Sequence, residues 1–158
     1  MNSEVFAPNR IAVVSDTHGH LNPALLEDLK NADLIIHAGD LDGPEVLNTL
    51  KILAPVLAVR GNMDRGGWAE DIPVMEVTPI NGMLFYMIHD LARMDLEPES
   101  MGIRFVISGH THRPLVEEKG NVIYLNPGSA SLPRGGFPPT YALIHIRENR
   151  LNVEIKDI

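Results

Sequence analysis

At 158 residues the chain has the length of one domain with one core, and its 44% apolar fraction is ordinary for a globular protein. A formal charge of −8, with no block of basic residues, argues against neutralising a long nucleic-acid backbone. Without cysteine there are no disulfides and no thiolate metal sites, so any ligation falls to Asp, Asn and His.

Residues 1–9 hold no basic region followed by an apolar run and read as a loose leader. No stretch approaches the length of a membrane span, so a soluble, cytoplasmic protein is expected, with no membrane partner. Arg10 to Ser15, short and rich in Ile and Val without alternation, predicts a buried strand. Asn22 followed by Pro23 is a helix start, with Leu25, Leu26 and Leu29 on one face. Asp33 to Ala38 predicts a second strand. Gly43-Pro44-Glu45 opens a second helix carrying Val46, Leu47, Leu50 and Leu53, and Pro55 to Arg60 predicts a third strand. The order β-α-β-α-β with short crossovers implies a parallel sheet.

The second half reads as hairpins. Val74 to Ile80 and Met83 to Ile88 flank Asn81-Gly82, a strong turn signal. Ala92 to Ser100 predicts an irregular helix broken near Pro98, and Arg104 to Ser108 another buried strand. Leu115 to Glu118 and Val122 to Leu125 flank Lys119-Gly120-Asn121. Tyr141 to Ile146 and Leu151 to Lys156 flank the turn at 147–150. The fold class expected is α/β, an αββα sandwich of two mixed β-sheets flanked by helices, with 1–158 as a single domain.

In a parallel sheet the carboxyl ends of the strands share one edge, where ligands bind. Asp16 and His18 follow the first predicted strand, Asp40 the second and Asn62 the third. His89 follows the strand ending at Ile88, and His110 and His112 follow the one ending at Ser108. Each alone is weak evidence. Their shared strand-end position makes them one constellation.

In order, Asp16-x-His18, Gly39-Asp40, Gly61-Asn62, the lone His89 and Gly109-His110-x-His112 resemble the five metal blocks of the calcineurin-like metallophosphoesterases. The short length, Asn62-Met63-Asp64 and Asn126-Pro127-Gly128-Ser129 are similar to the small prokaryotic phosphodiesterase branch of that superfamily. The resemblance implies two divalent ions. One would be held by Asp16, His18, Asp40 and His112, and the other by Asp40, Asn62, His89 and His110, with Asp40 bridging. Ions about 3.5–4 Å apart need such an anionic bridge, and a carboxylate has two oxygens to supply it. Imidazole nitrogens with carboxylate and amide oxygens suit manganese, iron, zinc, nickel or cobalt better than calcium.

The implied activity is hydrolysis of a small phosphodiester, of activated aryl or cyclic-nucleotide type, by a metal-bridging hydroxide, with Asn62, His89 and His110 positioning phosphate. Two divalent ions, two carboxylates and one hydroxide leave a single net positive charge, complementary to a diester. Many superfamily members carry a histidine after the Gly-Asn pair to protonate the leaving group; Met63 stands there and has no proton to give. Asp64 is a weaker candidate for that acid, against an ordinary loop carboxylate.

Arg134, in a Pro- and Gly-rich loop, is a candidate phosphate ligand, against a plain surface arginine; Arg60 and Arg65 rank lower. Asp90 is a candidate for orienting a ligand imidazole, or a simple turn residue. Trp68 either stacks on substrate or packs. His37 reads as a satisfied core histidine, His20 as a loop residue and His145 as structural. Two other functions stay open: a phosphomonoesterase on the same metals, and a metal-binding interaction scaffold, since the eukaryotic retromer subunit resembles this fold. A homodimer or higher homo-oligomer would be unsurprising.

Overall fold

Runs of Ile, Val and Leu that lack polar alternation become the inner strands of two sheets in the computed structural model, which describes residues 7–148 and 150–158. β1 (Arg10–Val14), α1 (Pro23–Leu29), β2 (Leu34–His37), α2 (Pro44–Leu53) and β3 (Val56–Ala58) follow in order, and the three strands pair in parallel. Asn22 caps α1, its side chain accepting the Ala24 N–H at 2.8 Å, and each helix carries a proline in its first turn. β9 (Thr140–Arg147) and β10 (Arg150–Asp157) join antiparallel, giving the order β10-β9-β1-β2-β3. Part of the turn expected between these last two strands, Asn149, lies outside the described residues, as do residues 1–6 of the expected leader.

β4 (Met75–Ile80), β5 (Met83–Ile88), β6 (Ile103–Ile107), β7 (Pro114–Lys119) and β8 (Val122–Pro127) form the second sheet in the order β4-β5-β6-β8-β7. Its centre is parallel and both its edges are antiparallel, so both sheets are mixed, as expected. Asn81 at φ 52° and Gly82 at φ 77° make the tight turn between β4 and β5.

Strand alternation sorts the core into layers. Ile11, Val13, Leu34 and Ile36 face Phe85, Met87, Phe105 and Ile107 between the sheets, with Phe85 and Phe105 stacked at 4.5 Å. Ala12, Val14 and Ile35 face the other way, onto Leu25 and Leu29 of α1 and Val46 and Leu50 of α2. Both α-helices therefore lie on the first sheet. On the outer face of the second sheet, the helix expected over Ala92–Ser100 does not form. A 3-10 turn covers Leu91–Arg93, and Met94 and Leu96 then pack onto Tyr86, Ile88 and Val106. Glu97, preceding Pro98, is disfavoured in helical geometry, and turns at 98–102 lead into β6. Among the described residues no helix is long and apolar enough to cross a membrane.

Loops leaving the strands meet at one edge. The Asp16 N–H reaches Gly39 O at 3.0 Å within the first sheet's loops, the Gly109 N–H reaches His89 O at 3.0 Å within the second's, and the His110 N–H joins the two at Asp16 Oδ2 (3.1 Å). Beneath them His37, fully buried, accepts the Gly39 N–H at Nδ1 (3.1 Å) and donates from Nε2 to Thr17 Oγ1 (2.9 Å). Only the neutral ring can do both. Burial above all, with the neighbouring His89, pushes its pKa down to about 3.

The unfolded chain takes up that proton near pH 6.5 while the folded chain refuses it until about pH 3, so the His37 contribution is complete above 6.5 and lost as pH falls. Replacing His37 with Gln will flatten this acid limb. The difference in unfolding free energy between wild type and H37Q, measured by denaturant titration, will change by up to ~1.4 kcal/mol per pH unit across that window.

Candidate metal centre

Three imidazoles converge on one carboxylate oxygen. Asp16 Oδ1 is buried and has no hydrogen-bond partner, and it lies 3.2 Å from His112 Nε2, 3.8 Å from His89 Nε2 and 3.9 Å from His18 Nε2. Its other oxygen is anchored by Ser15 Oγ (2.7 Å) and the His110 N–H (3.1 Å). Asp40 is also divided. Oδ1 accepts the Met63 N–H at 2.9 Å, and Oδ2 lies 3.3 Å from His89 Nε2.

The far nitrogens fix which atom points inward. His89 Nδ1 donates to Ala38 O (2.7 Å), His112 Nδ1 to Leu132 O (2.5 Å), and His18 Nδ1 pairs with Asp42 Oδ2 (3.0 Å). With each Nδ1 carrying the proton, each Nε2 presents a lone pair to the centre. His18 Nε2 and His112 Nε2 then face each other at 3.2 Å. Two lone pairs and a bare carboxylate oxygen at that range repel unless positive charge lies among them. Burial alone would push the His89 pKa down, yet the carboxylates of Asp40 and Asp16 outweigh it and the net direction is up. The donor set fits divalent cations: Asp16, His18 and His112 form one potential chelate, and Asp16, Asp40 and His89 another.

The backbone is bent to make this possible. Asp16, His18, Asp40, Asp42, His110 and His112 all sit at φ between 48° and 70°, in the left-handed region. Such residues are uncommon, and each costs roughly 1–3 kcal/mol that the surrounding structure must offset. Two motif glycines permit close approach. A Cβ at Gly61 would strike Asp40 Oδ1, and one at Gly109 would strike Ser15 Oγ and Asp16 Oδ2.

Asp64, the weaker candidate for a leaving-group acid, is taken up by the backbone. It is 4% exposed, and its carboxylate accepts the N–H groups of Gly61 (2.8 Å), Asp40 (2.9 Å) and Asp42 (2.9 Å). It stitches the loop after β2 to the loop after β3, although its burial raises its pKa above the usual carboxylate range. From the other side Ser129 Oγ holds Asp16 O (2.7 Å), Ser131 Oγ holds Thr17 O (2.7 Å) and Asn126 Nδ2 holds Gly109 O (2.9 Å). Asp42, Ser15 and Ser131 escaped the sequence reading. A serine spacing carries no sign of which carbonyl it will reach, whereas the Asp-x-Asp pair of Asp40 and Asp42 was a signal available for Asp42.

The remaining expected residues divide. Asn62 and His110 are exposed and line, with His89, a cleft of about 500 Å³ beside the buried cluster. The His89 and His110 rings meet edge to face at 5.2 Å. Arg134 is exposed on the loop after β8, outside that cleft and without a polar contact among the described residues. That loop instead contributes the Leu132 carbonyl. The arginines that do line the cleft are Arg60 and Arg93. Asp90 Oδ1 caps the 3-10 turn by accepting the Ala92 N–H at 3.1 Å, and its Oδ2 lies 3.9 Å from the His110 imidazole at Nε2. Trp68 packs against the helical layer.

Replacing Asp64 with Ala leaves three N–H groups without their acceptor and frees the Asp40 loop from Asn62. Calorimetric titration with Mn²⁺ will show affinity lowered by about 10–100-fold, as for other groups that support ligands from behind. Chemical denaturation of the metal-free protein will show a loss of at least ~1 kcal/mol.

Residues 10–149 match the calcineurin-like phosphoesterase superfamily domain. The chain is 39% identical over 137 residues to a probable metallophosphoesterase of Methanocaldococcus jannaschii, covering 78% of this chain and 69% of that one. It is 34% identical over 157 residues to a probable metallophosphoesterase of Methanothermobacter thermautotrophicus, covering 92% and 90%. A solved archaeal phosphodiesterase superposes with a TM-score of 0.77 at 25% identity, over 93% of this chain and 99% of that one. Together with the fold and the strand-end cluster, these matches establish that the chain belongs to the calcineurin-like phosphoesterase superfamily.

Proposed function

We propose that the chain hydrolyses small phosphodiesters, of activated aryl or cyclic-nucleotide type, at a centre of two divalent ions. Asp16, His18, Asp40, Asn62, His89, His110 and His112 would hold them. The observation that carries this reading is the convergence of three Nε2 atoms on the partnerless Asp16 Oδ1. Manganese is the first choice among transition metals these donors suit. When bound, such ions lower the pKa of water and draw negative charge from phosphoryl oxygens.

The chain's own residues do the positioning. Asp40, fixed at one oxygen by the Met63 N–H, keeps its other oxygen toward His89, while Asp16 is the carboxylate common to both halves of the cluster. His110 is 44% exposed at its side chain, so its imidazole is available to both an ion and a phosphate in the cleft. Asn62 offers a neutral carbonyl oxygen there. The Met63 side chain, 50% exposed, contributes no proton. A leaving group must therefore depart as its anion, which favours low leaving-group pKa or the strain of a cyclic diester.

A panel of bis(p-nitrophenyl) phosphate, p-nitrophenyl phosphate and cyclic nucleotides tests the reading on the Mn²⁺-loaded chain. Turnover of the diester is expected, abolished by chelation and lowered at least about 100-fold in His110→Ala. Activity that survives both treatments refutes the mechanism. Preference for the monoester makes the chain a phosphomonoesterase, and no turnover with metal bound leaves an interaction scaffold. Across a series of aryl diesters, log rate will fall steeply with leaving-group pKa. In Met63→His the slope will flatten, with gains of about tenfold or more confined to the poorest leaving groups.

A further inference from the structure

The cleft beside the centre, about 500 Å³, falls within the roughly 300–1,000 Å³ usual for small-molecule sites. Arg60, Asn62, His89, Asp90, Arg93 and His110 line it. Two guanidinium groups border one cleft in a chain where acidic residues outnumber Lys and Arg by 21 to 13. Arg60 makes no ion pair or side-chain hydrogen bond among the described residues. Arg93 Nε lies 4.0 Å from Asp90 Oδ2, at the limit of an ion pair, with its side chain 78% exposed. The same Asp90 oxygen lies 3.9 Å from His110 Nε2, and the cleft's other carboxylate, Asp64, is taken up by three backbone N–H groups, so neither is a dedicated partner for the arginines.

A simple diester has no use for them. Its single negative charge is already matched by the centre itself, and its organic arms are neutral. Two guanidinium forks complement two negative charges on one compact group, and their paired N–H donors match phosphoryl oxygens better than ammonium groups do. A carboxylate would satisfy only one of them. We propose that Arg60 and Arg93 are specificity-determining residues that bind a second, dianionic phosphoryl group, so that the preferred substrate is a phosphodiester bearing a terminal phosphate. This rests on the phosphodiesterase reading above and names its substrate class.

Two substrates isolate the effect. Thymidine 5′-(p-nitrophenyl phosphate) and its 3′-phosphorylated counterpart share the scissile bond and the leaving group, and differ only in the remote phosphate. With the Mn²⁺-loaded full chain, kcat/KM for the phosphorylated ester is expected to exceed that for the other by at least about tenfold, mainly through KM. The ratio should shrink as ionic strength rises, because Arg93 is exposed. In Arg60→Ala/Arg93→Ala the ratio should fall to about one, and in Arg60→Lys/Arg93→Lys to an intermediate value. Competition by thymidine 3′,5′-bisphosphate against bis(p-nitrophenyl) phosphate should weaken in parallel, a readout independent of turnover of either nucleotide ester. Equal kcat/KM for the two esters in wild type overturns the inference while leaving the phosphodiesterase reading intact, as does a preference that survives the double alanine variant. Failure to turn over either ester with metal bound removes that reading and the inference with it.

Discussion

Like-charged and lone-pair-bearing atoms cannot be packed together in a protein interior without something positive among them. That constraint governs this molecule. Asp16 Oδ1 is buried without a partner, three imidazole nitrogens face it, and Asp40 adds a second carboxylate within 3.3 Å of His89. Neither sheet is required to create the arrangement chemically, but both are required to hold it. Asp16, His18 and Asp40 come from loops of the first sheet, while His89 and His112 come from loops of the second. The phenylalanine stack and aliphatic layers between the sheets therefore set the distance across which the ligands meet.

Rigidity at the centre comes from main-chain bonds more than from packing. Asp64 accepts three N–H groups from two loops, Ser129 and Ser131 hold the carbonyls of Asp16 and Thr17, and the His89 and His112 imidazoles are pinned through Nδ1 to carbonyl oxygens. Such bonds cost little entropy at the moment of binding, because the groups are already in place. They also explain why a small chain with few helices can hold six residues in a disfavoured conformation: each strained position is flanked by a satisfied polar contact.

The βαβαβ half was legible because its signals are local. Unalternating Ile and Val, Asn22-Pro23 and Gly43-Pro44 each specify an element without help from elsewhere. The cluster of Asp16, His18, Asp40, His89 and His112 was legible through its order at strand ends. The stretch 92–100 was not, because Met94 and Leu96 answer to the apolar outer face of the second sheet, a tertiary demand that overrides helical propensity. Where Arg134 and Arg60 lie relative to the cleft was hidden for a related reason. Gly- and Pro-rich composition marks a loop but not where its side chains go, and the wall of the cleft is assembled from the end of β3 and the turn after β5, 33 positions apart between Arg60 and Arg93. Asp42 and Ser131 reach atoms that only the folded chain brings near.

The left-handed backbone at Asp16, His18, Asp40, His110 and His112 narrows what evolution can substitute there. Aspartate, asparagine and histidine tolerate that conformation better than other side chains do, and they are also the residue types that bind metal through oxygen or nitrogen. One short alphabet meets both demands. Glutamate, whose longer arm could in principle still reach an ion, is less favoured than aspartate in that conformation at positions 16 and 40, as glutamine is beside histidine at 112. Drift at these positions is thus penalised by torsion angles before coordination chemistry is consulted.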